Sequence, residues 1–186
     1  MNELAALRID AYGVVLRLVT PADLPALRRW RNSDAVRLQM LDQHRITPAE
    51  QRRWYQQISQ DHSARHWCVE VRGTRCGYAN LKGGVRTASL TGQAQADSGL
   101  YLGDTPVRHG LLAVAVALCQ LDAAFEQLHI DRIKTQVKAG NQSALRLNQM
   151  LGYQRQDTDT PFLTCTLTAA DYRRARVPLM RFFRHA

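Results

Sequence analysis

The sequence has few cysteines and no long apolar run, and each shortage excludes a class of protein. The four cysteines, Cys68, Cys76, Cys119 and Cys165, are far apart and none has Cys-x-x-Cys spacing. No histidine cluster completes a zinc site, so we predict buried free thiols in a reducing compartment and no metal centre. The longest apolar stretch, residues 111–121, is too short to cross a membrane.

The sequence also shows no targeting signal, internal repeat or evident linker. The first residues have no basic head followed by an apolar core, which argues against a signal peptide. We therefore expect a cytoplasmic protein. A chain of 186 residues with 45% hydrophobic residues is long enough for one sizeable core. We predict a single domain over residues 1–186, with residues 1–12 as an N-terminal extension and residues 169–186 as a C-terminal helix and tail.

Positive charge is abundant and comes mostly from arginine. The formal net charge is +9, from 25 Lys and Arg against 16 Asp and Glu. Arginine suits two-pronged contacts with phosphates or carboxylates, so we expect an anionic partner. Charge alone leaves three kinds of partner open, namely nucleic acid, a nucleotide-bearing small molecule and an acidic surface.

Helical and strand patterns alternate from end to end. Helix signals begin at Thr20, Ser33, Thr47 and Asn141, and residues 105–125 predict a long apolar helix. Gly99 lies inside a strand pattern, where a bulge or a close backbone approach is expected. This mixture predicts an α/β or α+β domain with a central mixed sheet. The predicted strands cover residues 14–18, 66–71, 76–81, 94–102, 132–137 and 162–167.

The start of the long apolar helix is the first candidate site. Arg108 and His109 flank the expected start, and Gly110 lets backbone approach a ligand closely. Helix N-termini carry free N–H groups and a partial positive charge, so basic residues there suit a bound phosphate. The alternative is an ordinary core helix with a solvated basic start.

The order of these parts resembles the GNAT superfamily of acyl-CoA-dependent N-acetyltransferases. Gly110 matches the family's phosphate loop, Q/R-x-x-G-x-G/A, although Val107 and Leu112 depart from it. Asn141 and the motif at residues 151–153 match the later N-x-x-[SA]-x-x-L-x-x-x-x-G-[FY] region. The resemblance implies a splayed mixed sheet of about six to seven strands, with acetyl-CoA as cofactor. The residues it implies for cofactor binding are Leu100, Leu102, Arg108, His109, Gly110, Leu111, Leu112, Asn141 and Asn148.

The resemblance also implies where the chemistry takes place. Acetyl transfer to an amine needs a proton acceptor, a donor to the oxyanion and a proton for the leaving thiolate. Asp97 stands where many relatives have a glutamate, and its alternative is a surface carboxylate. Asn148 replaces the tyrosine that protonates the thiolate in many relatives, so we expect Tyr101 or water in that role, or a thiolate that leaves unassisted. Tyr153 is expected to pack in the core.

The N-terminal third resembles one branch of the family. WRNSDAVRLQM, HRIT and EQRRWY match the PseH-like nucleotide-amino-sugar N-acetyltransferases of pseudaminic acid biosynthesis, except that Arg52 or Arg53 replaces a histidine. The acceptor would be a UDP-4-amino-4,6-dideoxy sugar. The arginines would pair with a diphosphate and the aromatic rings would stack on a base or sugar. The implied acceptor residues are Trp30, Arg31, Asn32, Arg37, Met40, Trp54 and Tyr55.

Other readings of the same residues stay open. Trp30 and Trp54 are also typical helix-packing residues, and a protein N-terminus or another small amine is an alternative acceptor. The net charge of +9 disfavours a polycationic acceptor, because like charges repel. A nucleic-acid-binding module would explain the charge, and an acyl-CoA binder without catalysis would explain the missing tyrosine. We expect no nucleic-acid or membrane partner, and a homodimer as one assembly to test.

Overall fold

The computed structural model describes residues 6–103, 106, 110–156 and 160–183. Arg108 and His109 therefore lie outside the described residues. A 3-10 turn at Pro21–Asp23 precedes the first helix, and another at Met180–Phe183 follows the last. The helices are α1 (Leu24–Asn32), α2 (Asp34–Arg37), α3 (Pro48–Ile58), α4 (Leu112–Asp122), α5 (Gln142–Met150) and α6 (Ala169–Leu179). The strands are β1 (Arg8–Ala11), β2 (Val14–Leu18), β3 (Ala64–Val71), β4 (Thr74–Gly83), β5 (Gln95–Leu102), β6 (Arg132–Lys138), β7 (Gln154–Gln156) and β8 (Phe162–Thr168).

The eight strands form one mixed sheet in the order β1-β2-β3-β4-β5-β6-β8-β7. Strands β1 to β5 pair antiparallel in succession, and so do β6, β8 and β7. The two groups meet at a parallel pairing of β5 with β6 that covers three residue pairs, from Gln95↔Arg132 to Asp97↔Lys134. Beyond Asp97 the two strands are no longer paired, so the sheet opens as a wedge. The predicted mixed, splayed α/β sheet is confirmed, with eight strands instead of six or seven.

Local signals in the sequence explain where three helices begin. Thr47 and Glu50 form a capping box at the start of α3, with Thr47 Oγ1 accepting from the Glu50 amide at 3.3 Å. Asn141 caps α5 by accepting from the Ala144 amide at 3.1 Å. Thr168 caps α6 in the same manner.

Three sequence predictions need correction. The predicted N-terminal extension contains β1, which joins β2 through a turn at Tyr12 and Gly13, both with positive φ. The long apolar helix begins at Leu112, and its last turn continues as a π-helix at Ala123–Gln127. Strand β5 pairs with β4 in an uninterrupted register, so Gly99 marks a close approach and not a bulge there. A Cβ atom at Gly99 would lie 3.2 Å from the Asn80 side chain.

Helix α4 lies at the centre of the core. Nine of its eleven residues are buried, which is why its sequence shows no polar face. It contacts β1, β2 and β4 on one side of the sheet. All four cysteines are buried and free, as predicted, and burial raises the pKa of the Cys76 thiol to about 11. Within the described ranges, no helix combines the length and the apolarity that crossing a bilayer requires.

Candidate functional site

The wedge between β5 and β6 opens into a cleft of about 790 Å³. Its floor is the part of β5 beyond Asp97, which is paired with β4 alone. The β5 edge that faces the wedge therefore offers backbone groups to a ligand. Helix α5 and strand β6 form one wall, and α1, α3 and the loop between α2 and α3 form the other.

Strand β4 presents polar side chains to the cleft at every second position. Tyr78, Asn80 and Lys82 all line it, because successive side chains of a strand point to opposite faces. Asp97 on β5 lies directly opposite Lys82, and its parallel partner on β6 is Lys134. The Asp97 carboxylate is exposed and lies where the two strands part. The register therefore places a carboxylate between two lysines at the narrow end of the wedge.

An aromatic cluster lies beneath the acceptor side of the cleft. The Tyr78 and Tyr101 rings stack with centroids 5.2 Å apart, and Trp54 lies edge-on to His66 at 5.6 Å. The Tyr78 hydroxyl lies 2.6 Å from His66 Nδ1, and burial lowers the pKa of His66 to about 4. Burial also raises the pKa of both tyrosines. The Tyr101 hydroxyl donates to the Leu27 carbonyl at 3.3 Å, so it lies against α1.

Helix α5 brings polar side chains to the opposite wall. Asn141 and Asn148 both line the cleft. The Asn148 Nδ2 atom is buried and has no partner of standard hydrogen-bond geometry among the described residues. The Asn148 side chain does interact with the Cys165 thiol, where it opposes the burial that raises the pKa of Cys165. The Tyr153 hydroxyl lies 3.2 Å from Ser98 Oγ on β5, and burial raises the pKa of Tyr153. Tyr153 therefore packs against the core as predicted and also places its hydroxyl in the cleft.

The loop at residues 38–47 is held in place by three of the predicted acceptor residues. Asn32 Nδ2 donates to the Ile46 carbonyl, and the Ile46 amide donates to Asn32 Oδ1, both at 2.8 Å. Arg37 donates to the Gln43 carbonyl at 3.0 Å, and Arg31 donates to the Asp42 carbonyl. These side chains shape the acceptor wall through the loop backbone. Arg31 also lines the cleft itself, and burial lowers its pKa.

Two carboxylates and an imidazole lie at the mouth of the cleft. His44 Nδ1 lies 2.7 Å from Asp42 Oδ2, and His44 Nε2 lies 3.8 Å from Glu50 Oε1. All three side chains line the cleft, and they face solvent more than the aromatic cluster does. The mouth therefore offers negative charge, whereas Lys82 on β4 is a half-buried cation of the same cleft.

The structure brings about half of the predicted site residues to the cleft. Trp30 instead packs in a small core beside Leu27 and Cys68, and a Cβ atom at Gly103 would lie 2.2 Å from its indole ring. Trp30 therefore has the position of a packing residue, whereas Trp54 packs against the same small core and also lines the cleft. Those that line the cleft are Arg31, Met40, Trp54, Asp97, Leu100, Tyr101, Asn141 and Asn148. Those outside its lining are Trp30, Asn32, Arg37, Tyr55, Leu102, Gly110, Leu111 and Leu112.

The predicted phosphate site is described only in part. Gly110 is exposed, with no atom within 4 Å of a Cβ placed on it, and Leu111 is the N-cap of α4. Leu112 is fully buried, so its side chain belongs to the core. No side chain caps α4, and its first turn has no acidic residue. Within the described part of the chain, no partner is found for the amides of this first turn, so they can receive an anion.

Sequence reasoning missed several residues of the cleft. The alternation Tyr78, Asn80, Lys82 was the available signal, since polar residues at every second position indicate one solvent-facing or ligand-facing side of a strand. Ser98 and Tyr153 meet only through the sheet order, which no local pattern reveals. Across the described residues, no group of three or more His, Cys, Asp or Glu could hold a metal ion.

The chain belongs to the GNAT acetyltransferases, since a family model described as "Acetyltransferase (GNAT) domain" matches residues 14–154. The predicted acyltransferase class is thereby confirmed. No curated protein matches the chain at a significant level.

Solved structures share the fold at low sequence identity. The apo structure of FdhC, a nucleotide-linked sugar GNAT, superposes with a TM-score of 0.76 at 18% identity, covering 95% of this chain and 98% of that one. PseH from Campylobacter jejuni with acetyl coenzyme A gives 0.62 at 19% identity, covering 84% and 99%. The aminoglycoside acetyltransferase AAC(6')-Ib with coenzyme A and kanamycin gives 0.70 at 21% identity, covering 88% and 99%. At these identities the likenesses establish the fold.

Proposed function

We propose that the protein transfers the acetyl group of acetyl-CoA directly to the amino group of a nucleotide-linked deoxy amino sugar. The observation that carries the proposal is the cleft itself. On the donor side the cleft has the edge of β5 that is not paired with β6. On the acceptor side it has the indole ring of Trp54, and the lysines Lys82 and Lys134 also line it. The similarity to FdhC and to PseH supports this choice of acceptor.

The donor end fits an acyl-CoA. The unpaired edge of β5 around Leu100 can hydrogen-bond the amides of the pantetheine arm, and the free amides at the start of α4 can receive its pyrophosphate. The buried Asn148 side-chain amide, whose Nδ2 has no partner of standard geometry among the described residues, would donate to a carbonyl of that arm. When bound, acetyl-CoA supplies a thioester whose carbonyl carbon accepts the amine.

Proton transfer can be assigned to groups that the cleft contains. Asp97 is an exposed carboxylate at the narrow end of the wedge and would accept the proton of the attacking amine, directly or through water. Backbone N–H groups of β5 near Leu100 would donate to the oxyanion. Tyr101 and Tyr153 are protonated at neutral pH, as ordinary tyrosines are, and burial raises the pKa of both hydroxyls further. Either hydroxyl could then supply a proton to the leaving thiolate.

The acceptor end carries the positive charge that a diphosphate needs. Lys82, Lys134 and Arg86 line the cleft, and Arg31 enters from α1. Trp54 and Met40 both line the cleft, and an indole ring suits stacking on a uracil or sugar ring. The loop at residues 38–47 would then close over the sugar, anchored as described above.

A cationic amine is the second candidate acceptor. Asp42 and Glu50 place two carboxylates at the mouth of the cleft on either side of His44. This local charge opposes the repulsion that the net charge of +9 predicts for a polyamine or aminoglycoside. AAC(6')-Ib, whose structure contains kanamycin, shares the fold.

A calorimetric titration with acetyl-CoA tests the donor, with CoA and a short duplex DNA as comparisons. Binding of acetyl-CoA with little affinity for DNA is expected, and no acetyl-CoA binding would overturn the proposal. Strong, salt-dependent DNA binding would instead favour the nucleic-acid alternative. Replacing Gly110 with tryptophan should weaken acetyl-CoA binding far more than it lowers the free energy of unfolding.

A spectrophotometric thiol-release assay then tests the acceptor. We expect turnover with a UDP-4-amino-4,6-dideoxy sugar and little with kanamycin or spermidine. The Lys134→Gln variant should raise the KM for the nucleotide sugar, whereas Asp42→Asn should leave that KM nearly unchanged. Turnover of kanamycin that depends on Asp42 would favour the cationic acceptor. A protein N-terminus as acceptor, the cytoplasmic location and a homodimer stay predictions.

A further inference from the structure

Lysine is scarce in this chain, and the structure gathers all of it at one place. Three of the 25 Lys and Arg residues are lysines. Lys82 and Lys134 line the cleft, and Lys138 lies beside it, with its Nζ donating to the Leu38 carbonyl at 3.1 Å. Arginine stays charged under all ordinary conditions, whereas a lysine amine can lose its proton and act as a nucleophile. The side-chain amines that can be acylated are therefore collected around the proposed acetyl donor.

Lys82 has the surroundings of a reactive amine. It is half-buried on β4, and its Nζ makes no ion pair or hydrogen bond with any described residue. Burial lowers the pKa of Lys82, and the nearby Arg86 lowers it further, whereas Asp97 and Asp61 oppose the shift. A larger fraction of this amine is therefore neutral at a given pH than in a solvated lysine. By contrast, Lys138 donates its protons to a backbone carbonyl.

Lys82 also lies within reach of the donor. It projects from the same face of β4 as Asn80, which pairs with Gly99 on β5. Two residues along a strand span roughly 7 Å, which is about the length of an extended lysine side chain. The acetyl group of the proposed donor would lie on β5 near Leu100, the residue after Gly99. The Lys82 amine can therefore approach a thioester held at that point.

We propose that Lys82 is a self-acetylation site when acetyl-CoA is bound and no acceptor occupies the cleft. The neutral Nζ attacks the thioester carbonyl carbon, a C–N bond forms and the C–S bond breaks. One amine proton passes to the thiolate by way of Asp97 or water, so the products are Nε-acetyl-Lys82 and CoA. This inference rests on the proposed acetyl-CoA donor, and it does not depend on the identity of the acceptor.

Acetylation of Lys82 would change the acceptor side of the cleft. The modified side chain loses its positive charge and gains an acetyl group opposite Asp97. An anionic acceptor would then bind more weakly, so the modified protein should show a raised acceptor KM. Self-acetylation would thus reduce activity when acetyl-CoA is plentiful and the acceptor is scarce.

The test is mass spectrometry of the full-length protein incubated with acetyl-CoA alone. We expect one added acetyl group, located by trypsin in an uncut peptide of residues 76–86, since acetylated lysine resists cleavage there. Labelling should saturate with acetyl-CoA, fall with added CoA and rise with pH. Lys82→Arg should abolish it, and the matched variant Lys134→Arg should retain it.

Two outcomes would overturn the inference and can be told apart. Acetyl-CoA binding by calorimetry without labelling of Lys82, or with equal labelling of all three lysines, would refute self-acetylation and leave the proposed function standing. Absence of acetyl-CoA binding would refute the proposed donor and this inference with it. Circular dichroism of Lys82→Arg shows whether that variant is folded, and Lys82→Gln provides a second variant of unlike charge.

Discussion

Substitution of Asn32 by alanine should free the loop at residues 38–47 without unfolding the protein. The Asn32 side chain makes two hydrogen bonds to the backbone of Ile46, both at 2.8 Å. Each such bond contributes about 0.5–1.5 kcal/mol net, so the loop should lose about 1–3 kcal/mol of local stability. Asn32 is the last residue of α1, and alanine is a good helix former, so the helix itself should persist.

Hydrogen exchange measured by mass spectrometry provides the assay, and it needs no substrate. The Ile46 amide donates to Asn32 Oδ1, so its protection should fall in Asn32→Ala. A loss of about 1–3 kcal/mol corresponds to exchange that is roughly 5- to 150-fold faster in the loop peptide. Peptides from β3 and α4 should exchange at the parental rate, because the side-chain hydrogen bonds of Asn32 go to Ile46.

Arg45→Ala is the matched control in the same loop. Its contacts to Asn32 and Asp34 are longer, at 3.4 and 3.5 Å, and its side chain is 66% exposed. Such exposed contacts contribute little, so exchange in the loop should change slightly. If Asn32→Ala left the loop peptide as protected as Arg45→Ala does, the anchoring role of Asn32 would be refuted.

Three further predictions concern stability. Burial lowers the pKa of His66 to about 4, so as the pH falls below 6.5 the unfolded chain binds a proton before the folded protein does. The free energy of unfolding should therefore fall by about 3 kcal/mol as the pH drops from 6.5 through 4. Urea titrations at each pH measure this loss, which should be absent in His66→Gln. Gly103→Ala should cost about 1–3 kcal/mol by thermal denaturation, since the new Cβ would overlap the Trp30 ring, and an unchanged Tm would contradict that packing. Asp23→Asn should cost about 3 kcal/mol in chemical denaturation, because the fully buried carboxylate pairs with Arg17 at 2.7 Å and with Arg75 at 2.8 Å. Arg17→Ala should cost less in the Asp23→Asn background, where Arg17 keeps its ion pair with Glu70 at 2.7 Å but has lost the one with Asp23, than in the parent, and equal costs in the two backgrounds would contradict the coupling.

The parts of the fold that the sequence could predict are those with local signals. The capping box at Thr47 and the cap at Asn141 fixed two helix starts, and Gly152, with φ of 90°, ended α5 as expected. Strand β1 was missed because Arg8–Ala11 is short and becomes a strand only by pairing with β2. Strand β7 is also short, and its three residues are exposed.

The candidate site was less predictable because its geometry depends on long-range pairing. Trp30 and Trp54 have similar helical settings in the sequence, yet one packs against Gly103 and the other lines the cleft. Asn32 and Arg37 were predicted to contact the acceptor, and they bind backbone carbonyls of a loop that follows them in the chain. No local rule distinguishes these roles, since each depends on where the loop at residues 38–47 folds back.

The junction between β5 and β6 has a mechanical consequence for the whole sheet. Ala96 and Ile133 form its middle pair, and both are completely buried. Five strands on one side and three on the other pair with each other only along this short seam. The seam is the hinge between the two groups of strands, and the cleft lies between them. A larger residue at Ala96, whose side chain is buried and does not line the cleft, should therefore push β5 and β6 apart and change the width of the cleft.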